Sequence, residues 1–133
     1  MRWERLVPEL SVSDFDVSLK FYVEVLEFSV LFERPSFAYL EREGAQLMIE
    51  SAEGAWLTGE LAAPFGRGIN LQIECEHSTA FRDRLVERGV PLWRDLQDAW
   101  RQTGDEMSGA REFLVQDPDG YLLRFAETLP TAT

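Results

Sequence analysis

The feature that most constrains this chain is that one order of elements occurs in it twice. Residues 6–12 alternate loosely between apolar and polar and predict a strand. Ser13 or Asp14 can cap the helix that follows, and Asp16 favours its N-terminus. Phe15, Leu19, Tyr22, Val23 and Leu26 recur at helical spacing, which predicts an amphipathic helix ending near Glu27. Strands are expected over 28–32, 37–40 and 46–49, with turns at 34–36 and 41–44. The order then starts again. A strand is expected over 69–74, and a helix over 77–88 with Phe81, Leu85 and Val86 on its inner face and Gly89 as a left-handed terminator. A short strand follows over 90–94. Residues 95–110, with Asp98, Trp100, Asp105 and Glu106, read as a long polar loop or an irregular hairpin. A last hairpin over 111–125 turns on Asp117-Pro118-Asp119-Gly120, where proline presets φ, aspartate accepts local hydrogen bonds and glycine allows positive φ. Val7 and Asn70 stand at equal intervals before the two helix starts, Asp14 and His77. A repeat of this kind implies two β-α-β-β-β modules in an α+β fold, each with a curved mixed sheet, set around a cleft.

The expected organisation is a single domain. Module 1 covers about 4–51, a linker rich in Gly and Ala covers 52–67, module 2 covers about 68–127, and 128–133 is a frayed tail. The length of 133 residues suits one core. Composition, 45% hydrophobic and 28% charged, is that of a soluble globular chain. No run approaches a membrane span, residues 1–5 carry no apolar signal-peptide core, and a cytoplasmic home is expected. Cys75 is the only cysteine, which excludes an intrachain disulfide and a cysteine-rich zinc site. The net charge of −11 argues against nucleic acid as a partner. It serves solubility or draws cationic ligands. Pro8, inside the first predicted strand, lacks an amide donor and marks that strand as an edge, a bend or a point of exchange.

Several short motifs, in this order, resemble the vicinal oxygen chelate superfamily of glyoxalase I, fosfomycin resistance enzymes, extradiol dioxygenases and bleomycin resistance proteins. They are Val12-Ser13-Asp14, the helix with Ser18 and Phe21-Tyr22, Leu26-Glu27-Phe28, and Asp117-Pro118-Asp119-Gly120 followed by Leu122-Leu123. The resemblance covers roughly residues 5–127. It implies the glyoxalase/bleomycin resistance-like fold. It also places the superfamily's strand-borne metal ligands on Val7, Met48, Asn70 and Arg124. Valine cannot ligate, arginine stays protonated and methionine is soft, so only Asn70 offers an oxygen. A shift of one residue brings Glu9 or Glu50 into consideration without completing a set. His77 has no histidine partner. No metal and no other cofactor is expected.

Without metal ligands, the chain resembles the bleomycin resistance proteins most, in Pro8, in Leu122-Leu123-Arg124, in acidity and in size. That resemblance implies a non-enzymatic protein that sequesters a cationic glycopeptide antibiotic in a cleft at the interface of a homodimer, with N-terminal strands exchanged at Pro8. An edge strand with no exchange is the simpler reading of that proline. Candidate ligand-binding residues are Phe37, Tyr39, Trp56, Phe65 and Trp100 for stacking, with Glu50, Asp105 and Glu106 facing positive charge. Each aromatic could instead serve core or dimer packing, whereas Phe113 and Phe125 are expected in the core. Two other readings stay open. One is a metal-independent or unrecognised enzyme of the same superfamily using Glu50, Asp105 or Tyr39 as acid or base, which requires a carboxyl of raised pKa. The other is a stress or scaffold protein with a vestigial cleft.

Overall fold

The computed structural model describes residues 2–131. The chain divides into two compact units. The first is Met1–Phe65 with Asp117–Gly120, and the second is Gly66–Gln116 with Tyr121–Thr133. Both follow the β-α-β-β-β order, as the repeat requires.

In the first unit, strands β1 (Glu9–Val12), β2 (Ser29–Arg34), β3 (Phe37–Arg42) and β4 (Ala45–Ser51) form a sheet in the order β1-β4-β3-β2. β1 runs parallel to β4, and the other neighbours are antiparallel. β1 starts one residue after Pro8 and lies at the sheet edge, where a missing amide costs little. The proline still contributes its carbonyl, which accepts from the Met48 N–H at 2.9 Å. Asp14 caps helix α1 (Phe15–Lys20) by accepting from the Val17 N–H. The helix continues as a π-helical turn over Phe21–Val25 and ends where Glu27 takes φ 66°. Its Tyr22 and Leu26, with Phe28, are buried, as are Val12, Ala38, Leu40, Leu47 and Ile49 of the strands. Each large side chain removed from water contributes about 1.5–3 kcal/mol before entropy is counted.

In the second unit, β5 (Asn70–Glu74), β6 (Arg94–Thr103), β7 (Glu106–Gln116) and β8 (Leu122–Leu129) form a sheet in the order β5-β8-β7-β6, with β5 parallel to β8. Helix α2 (Ser78–Glu87) starts after His77, and Gly89 takes φ 77° beyond its end. Phe81 and Leu85 are fully buried. The Phe81 ring lies edge-on to Phe113 and Phe125, with centroids at 5.6 and 5.0 Å, and those two stack on each other. Phe113 and Phe125 are therefore core residues, as expected.

Three details differ from the sequence reading, and of its two alternatives for residues 95–110 the irregular hairpin is the one that forms. Val86 is exposed rather than on the inner face. No strand forms over 90–93, where Pro91 has no amide to give and only the Trp93 N–H bonds across, to the Leu114 carbonyl. Residues 95–110 belong to a long hairpin, β6–β7, whose register runs from Thr103↔Glu106 back to Gln97↔Glu112 and shifts between Arg94 and Gln97. Its outer residues are mostly exposed, so no apolar alternation marks it in the sequence. β8 also runs through Thr128 and Leu129, two residues into the expected tail, and the Thr128 hydroxyl donates to Glu74.

The Asp117–Gly120 turn joins β7 to β8 as expected, yet its carboxylates serve the first unit. Asp117 accepts from the Tyr22 hydroxyl at 2.8 Å and from the Asp119 N–H at 3.0 Å. Asp119 accepts from the Ser13 N–H at 3.0 Å and from the Ser13 hydroxyl. Gly120 sits at φ 99° with Pro64 so close that an added Cβ would lie 2.5 Å from the proline Cβ.

Candidate functional site

One face of the first sheet is covered by α1 and its π-helical turn. The other carries the chemistry. Strand alternation sends Glu9 from β1, Phe37 and Tyr39 from β3, and Gln46, Met48 and Glu50 from β4 to this second face. The register sets Phe37 beside Glu50, Tyr39 beside Met48, and Met48 beside Glu9. Phe32 of β2 lies beside Tyr39. Its ring stacks on Phe37 and Tyr39 at 5.8 and 5.3 Å, and the Arg34 guanidinium lies 3.7 Å over the Phe37 ring. The result is an aromatic strip with a cation at one end.

Carboxylates border the strip. Partial desolvation raises the Glu9 carboxyl above the usual carboxylate range, and the hydrogen bond and like charge of Glu50 add to this, with Arg34 opposing. Desolvation, then the charges of Glu4 and Glu41, likewise raises the Tyr39 phenol. Its hydroxyl donates to Gln46 Oε1 at 2.7 Å.

A second concavity lies on the β6–β7 hairpin of the second unit. It has a volume of about 440 Å³ and is lined by Trp100, Glu106, Met107 and Thr131. Trp100 pairs across the hairpin with Gly109, and its ring lies so close that an added Cβ at Gly109 would sit 2.7 Å from it. Glycine is what lets the indole lie down on the strand.

The structure thus brings Phe37, Tyr39 and Glu50 together on one face, and Trp100 and Glu106 together in the hairpin pocket. Asp105 is in the hairpin turn beside that pocket. Trp56 is 97% exposed in the irregular segment after β4. Phe65 is half-buried, and its N–H donates to the Asp119 carbonyl. Asp98 is held by Arg111 through two hydrogen bonds, which lower its carboxyl. Sequence reasoning did not single out Phe32 or Gln46. The signal for both was the alternation itself, since Phe32 opposes Tyr39, and Gln46 is in step with Met48 and Glu50.

The positions that would hold a divalent metal in related enzymes do not fit one here. Met48 is flanked by Glu9 and Tyr39. Arg124 faces the buried Glu112, with nitrogen and oxygen 3.7 Å apart, and Arg101 also pairs with that carboxylate. Among the described residues, no group of three or more His, Cys, Asp or Glu side chains is placed to hold a metal ion. Nor is any helix of the described residues long and apolar enough to cross a membrane.

The Glyoxalase/Bleomycin resistance protein/Dioxygenase superfamily model matches residues 6–125. The fold is shared with a protein of unknown function from Agrobacterium tumefaciens, at 27% identity, 97% and 98% coverage of the two chains and a TM-score of 0.72. TioX from Micromonospora sp. ML1 is similar at 23% identity, 92% and 98% coverage and a TM-score of 0.70. A glyoxalase/bleomycin resistance protein/dioxygenase from Alicyclobacillus acidocaldarius is similar at 24% identity, 98% and 96% coverage and a TM-score of 0.61. No curated protein matches the chain. The chain belongs to the glyoxalase/bleomycin resistance protein/dioxygenase superfamily.

Proposed function

We propose that this superfamily member is a non-enzymatic binding protein that sequesters a planar, cationic, bleomycin-like molecule. The observation that carries this reading is the face of the first sheet that its helix does not cover. Phe32, Phe37 and Tyr39 stack there as a flat apolar strip, of which Phe37 and Tyr39 are buried in this conformation, and the Glu9–Glu50 pair beside them offers negative charge. A flat heterocycle gains about 0.5–1.5 kcal/mol per aromatic contact beyond area burial. A cationic tail beside Glu9 and Glu50 relieves the like-charge repulsion between them. The net charge of −11 adds long-range attraction for such a ligand. Residues of the superfamily's metal positions that do not fit a metal are consistent with binding rather than metal-assisted turnover.

The test is calorimetric titration of chelator-treated protein with copper-loaded and metal-free bleomycin, with zinc, nickel and manganese in separate runs. Submicromolar drug binding at one site per chain, weakened at least about tenfold by Phe37→Ala, is the expected result. Tight uptake of a free metal without drug binding overturns it. A homodimer is part of this reading through the resemblance alone, and light scattering at twice the chain mass is its check.

A second reading has its own observation. The raised Glu9 carboxyl beside Glu50 is the kind of perturbed group that a metal-independent acid–base enzyme needs. Turnover of a candidate substrate that rises and falls with pH, and is abolished in Glu9→Gln, would favour it.

A further inference from the structure

Residues of this same chain already sit on the aromatic strip. Gln46 is only 8% exposed, and it spends both ends of its amide on the N-terminal arm. Nε2 donates to the Arg2 carbonyl at 2.7 Å, while Oε1 accepts from the Glu4 N–H at 2.9 Å as well as from Tyr39. A side-chain amide that bonds one backbone carbonyl and the N–H two residues on recognises amide groups, whatever side chains flank them. Between those two backbone groups, Trp3 sets the edge of its indole against Phe32 and Tyr39, with centroids at 5.6 and 4.9 Å and planes at 79° and 83°. The arm is otherwise lightly attached. It forms no strand, the indole is 54% exposed, Arg5 and Leu6 stand exposed after it, and the Arg2–Glu4 contact is a long one between exposed groups.

We infer that the arm is a tethered stand-in for the ligand. The slot formed by Gln46, Tyr39 and Phe32 takes a molecule in which an aromatic ring is flanked by secondary amides, and Trp3 must leave for that molecule to bind. This deepens the binding reading of the same face and rests on it for the choice of face. Ring edge and amide pair must be met together, because the Gln46 amide is buried and loses both arm partners when the arm lifts. The tether makes the arm a strong competitor. A short flexible link gives an effective concentration in the millimolar range, and a ligand's apparent affinity falls in proportion to the fraction of molecules whose arm is lifted.

The test uses the full chain, its Trp3→Ala variant and the Trp3→Ala/Gln46→Leu double variant. The probe is N-acetyltryptophanamide, an indole with an amide on each side, and 3-methylindole is the control without amides. The expected result is that Trp3→Ala binds the probe about tenfold or more tightly than wild type. Adding Gln46→Leu removes the gain for the probe and leaves 3-methylindole unchanged. Equal probe affinity in wild type and Trp3→Ala overturns the inference, as does an equal effect of Gln46→Leu on both probes. If the leucine variant does not fold, Gln46→Glu serves in its place, since it keeps the acceptor and loses the Nε2 donor. Bleomycin separates this inference from the reading it rests on. A tighter probe complex in Trp3→Ala with no bleomycin binding by either protein supports the slot and sinks only the drug reading. Bleomycin binding that is equal in wild type and Trp3→Ala supports the drug reading and overturns the arm's role.

Discussion

The two sheets share a frame and differ in what they carry on their open faces. Glu9 pairs with Met48 in the first sheet as Gln72 pairs with Arg124 in the second, and Glu9 and Gln72 precede their helix caps by the same interval. Counted along that register, Ala38 matches Phe113, Phe37 matches Glu112 and Glu50 matches Ala126. The face of the first sheet away from its helix is aromatic, with a carboxylate pair at its edge. On the second, one buried carboxylate, Glu112, lies between two arginines, Arg101 and Arg124. The faces covered by helices are alike, apolar and buried in both units. Helix cover forces apolar residues, whereas the opposite face leaves the side chains free to differ, even in the sign of their charge. Function is therefore to be sought where the two units differ.

That comparison can be broken first at its covered faces. Phe113→Ala should lower stability by about 3–5 kcal/mol in urea unfolding, because it opens a cavity against Phe81 and Phe125. The reciprocal Ala38→Phe should cost about 1–3 kcal/mol by overcrowding at the matched position. If Ala38→Phe is silent, the first sheet is less tightly covered than its buried residues imply. On the open face of the second sheet, Glu112→Leu should cost about 1–3 kcal/mol by removing the one acceptor between two guanidiniums. Adding Arg124→Met should recover part of that loss. Tyr22→Phe, which removes the hydroxyl that Asp117 accepts from, should cost about 1 kcal/mol in the same assay.

Acid titration sharpens the contrast with smaller effects. The Glu9 carboxyl is raised in the folded state, so its favourable contribution is complete below the usual carboxylate range and fades as pH rises through the raised value. Glu127 is lowered by hydrogen bonds from the Ser78 hydroxyl and N–H. Its contribution is present above the usual range and lost as pH falls through the depressed value. Urea midpoints followed across pH should show Glu9→Gln removing the first trend and Ser78→Ala flattening the second. Identical profiles for the two variants would mean that neither group's environment survives in solution.

Local pattern made most of the frame legible. Both helix starts, the first β-β-β run and the last turn follow from spacing and turn chemistry, and the matched intervals before Asp14 and His77 align the two units to the residue. The β6–β7 hairpin could be read only as one of two alternatives, because residues exposed on both faces carry no alternation. All four of Phe37 to Leu40 are buried, so alternation alone could not say which side was open. Of the site, Phe37, Tyr39 and Glu50 could be named from their strands. Alternation puts Gln46 on the same face, but its role and that of Trp3 could not be read, because they come from an arm whose Glu4 and Arg2 lie 42 and 44 residues before Gln46. Long-range partners of this kind leave no trace in a window of neighbours.

The Asp-Pro-Asp-Gly turn shows the same limit in another form. As a local signal it is a hairpin, yet its two carboxylates bond Ser13 and Tyr22, 106 and 95 residues earlier in the chain. A ribosome releases those donors early and supplies their acceptors only when the last hairpin emerges. The nascent first unit must therefore wait, with its helix start unlatched, until Asp117 and Asp119 have been made. Its final stability then arrives in one late event rather than growing with length. A product ending before Asp117 would carry every strand and helix of that unit and still lack its latch.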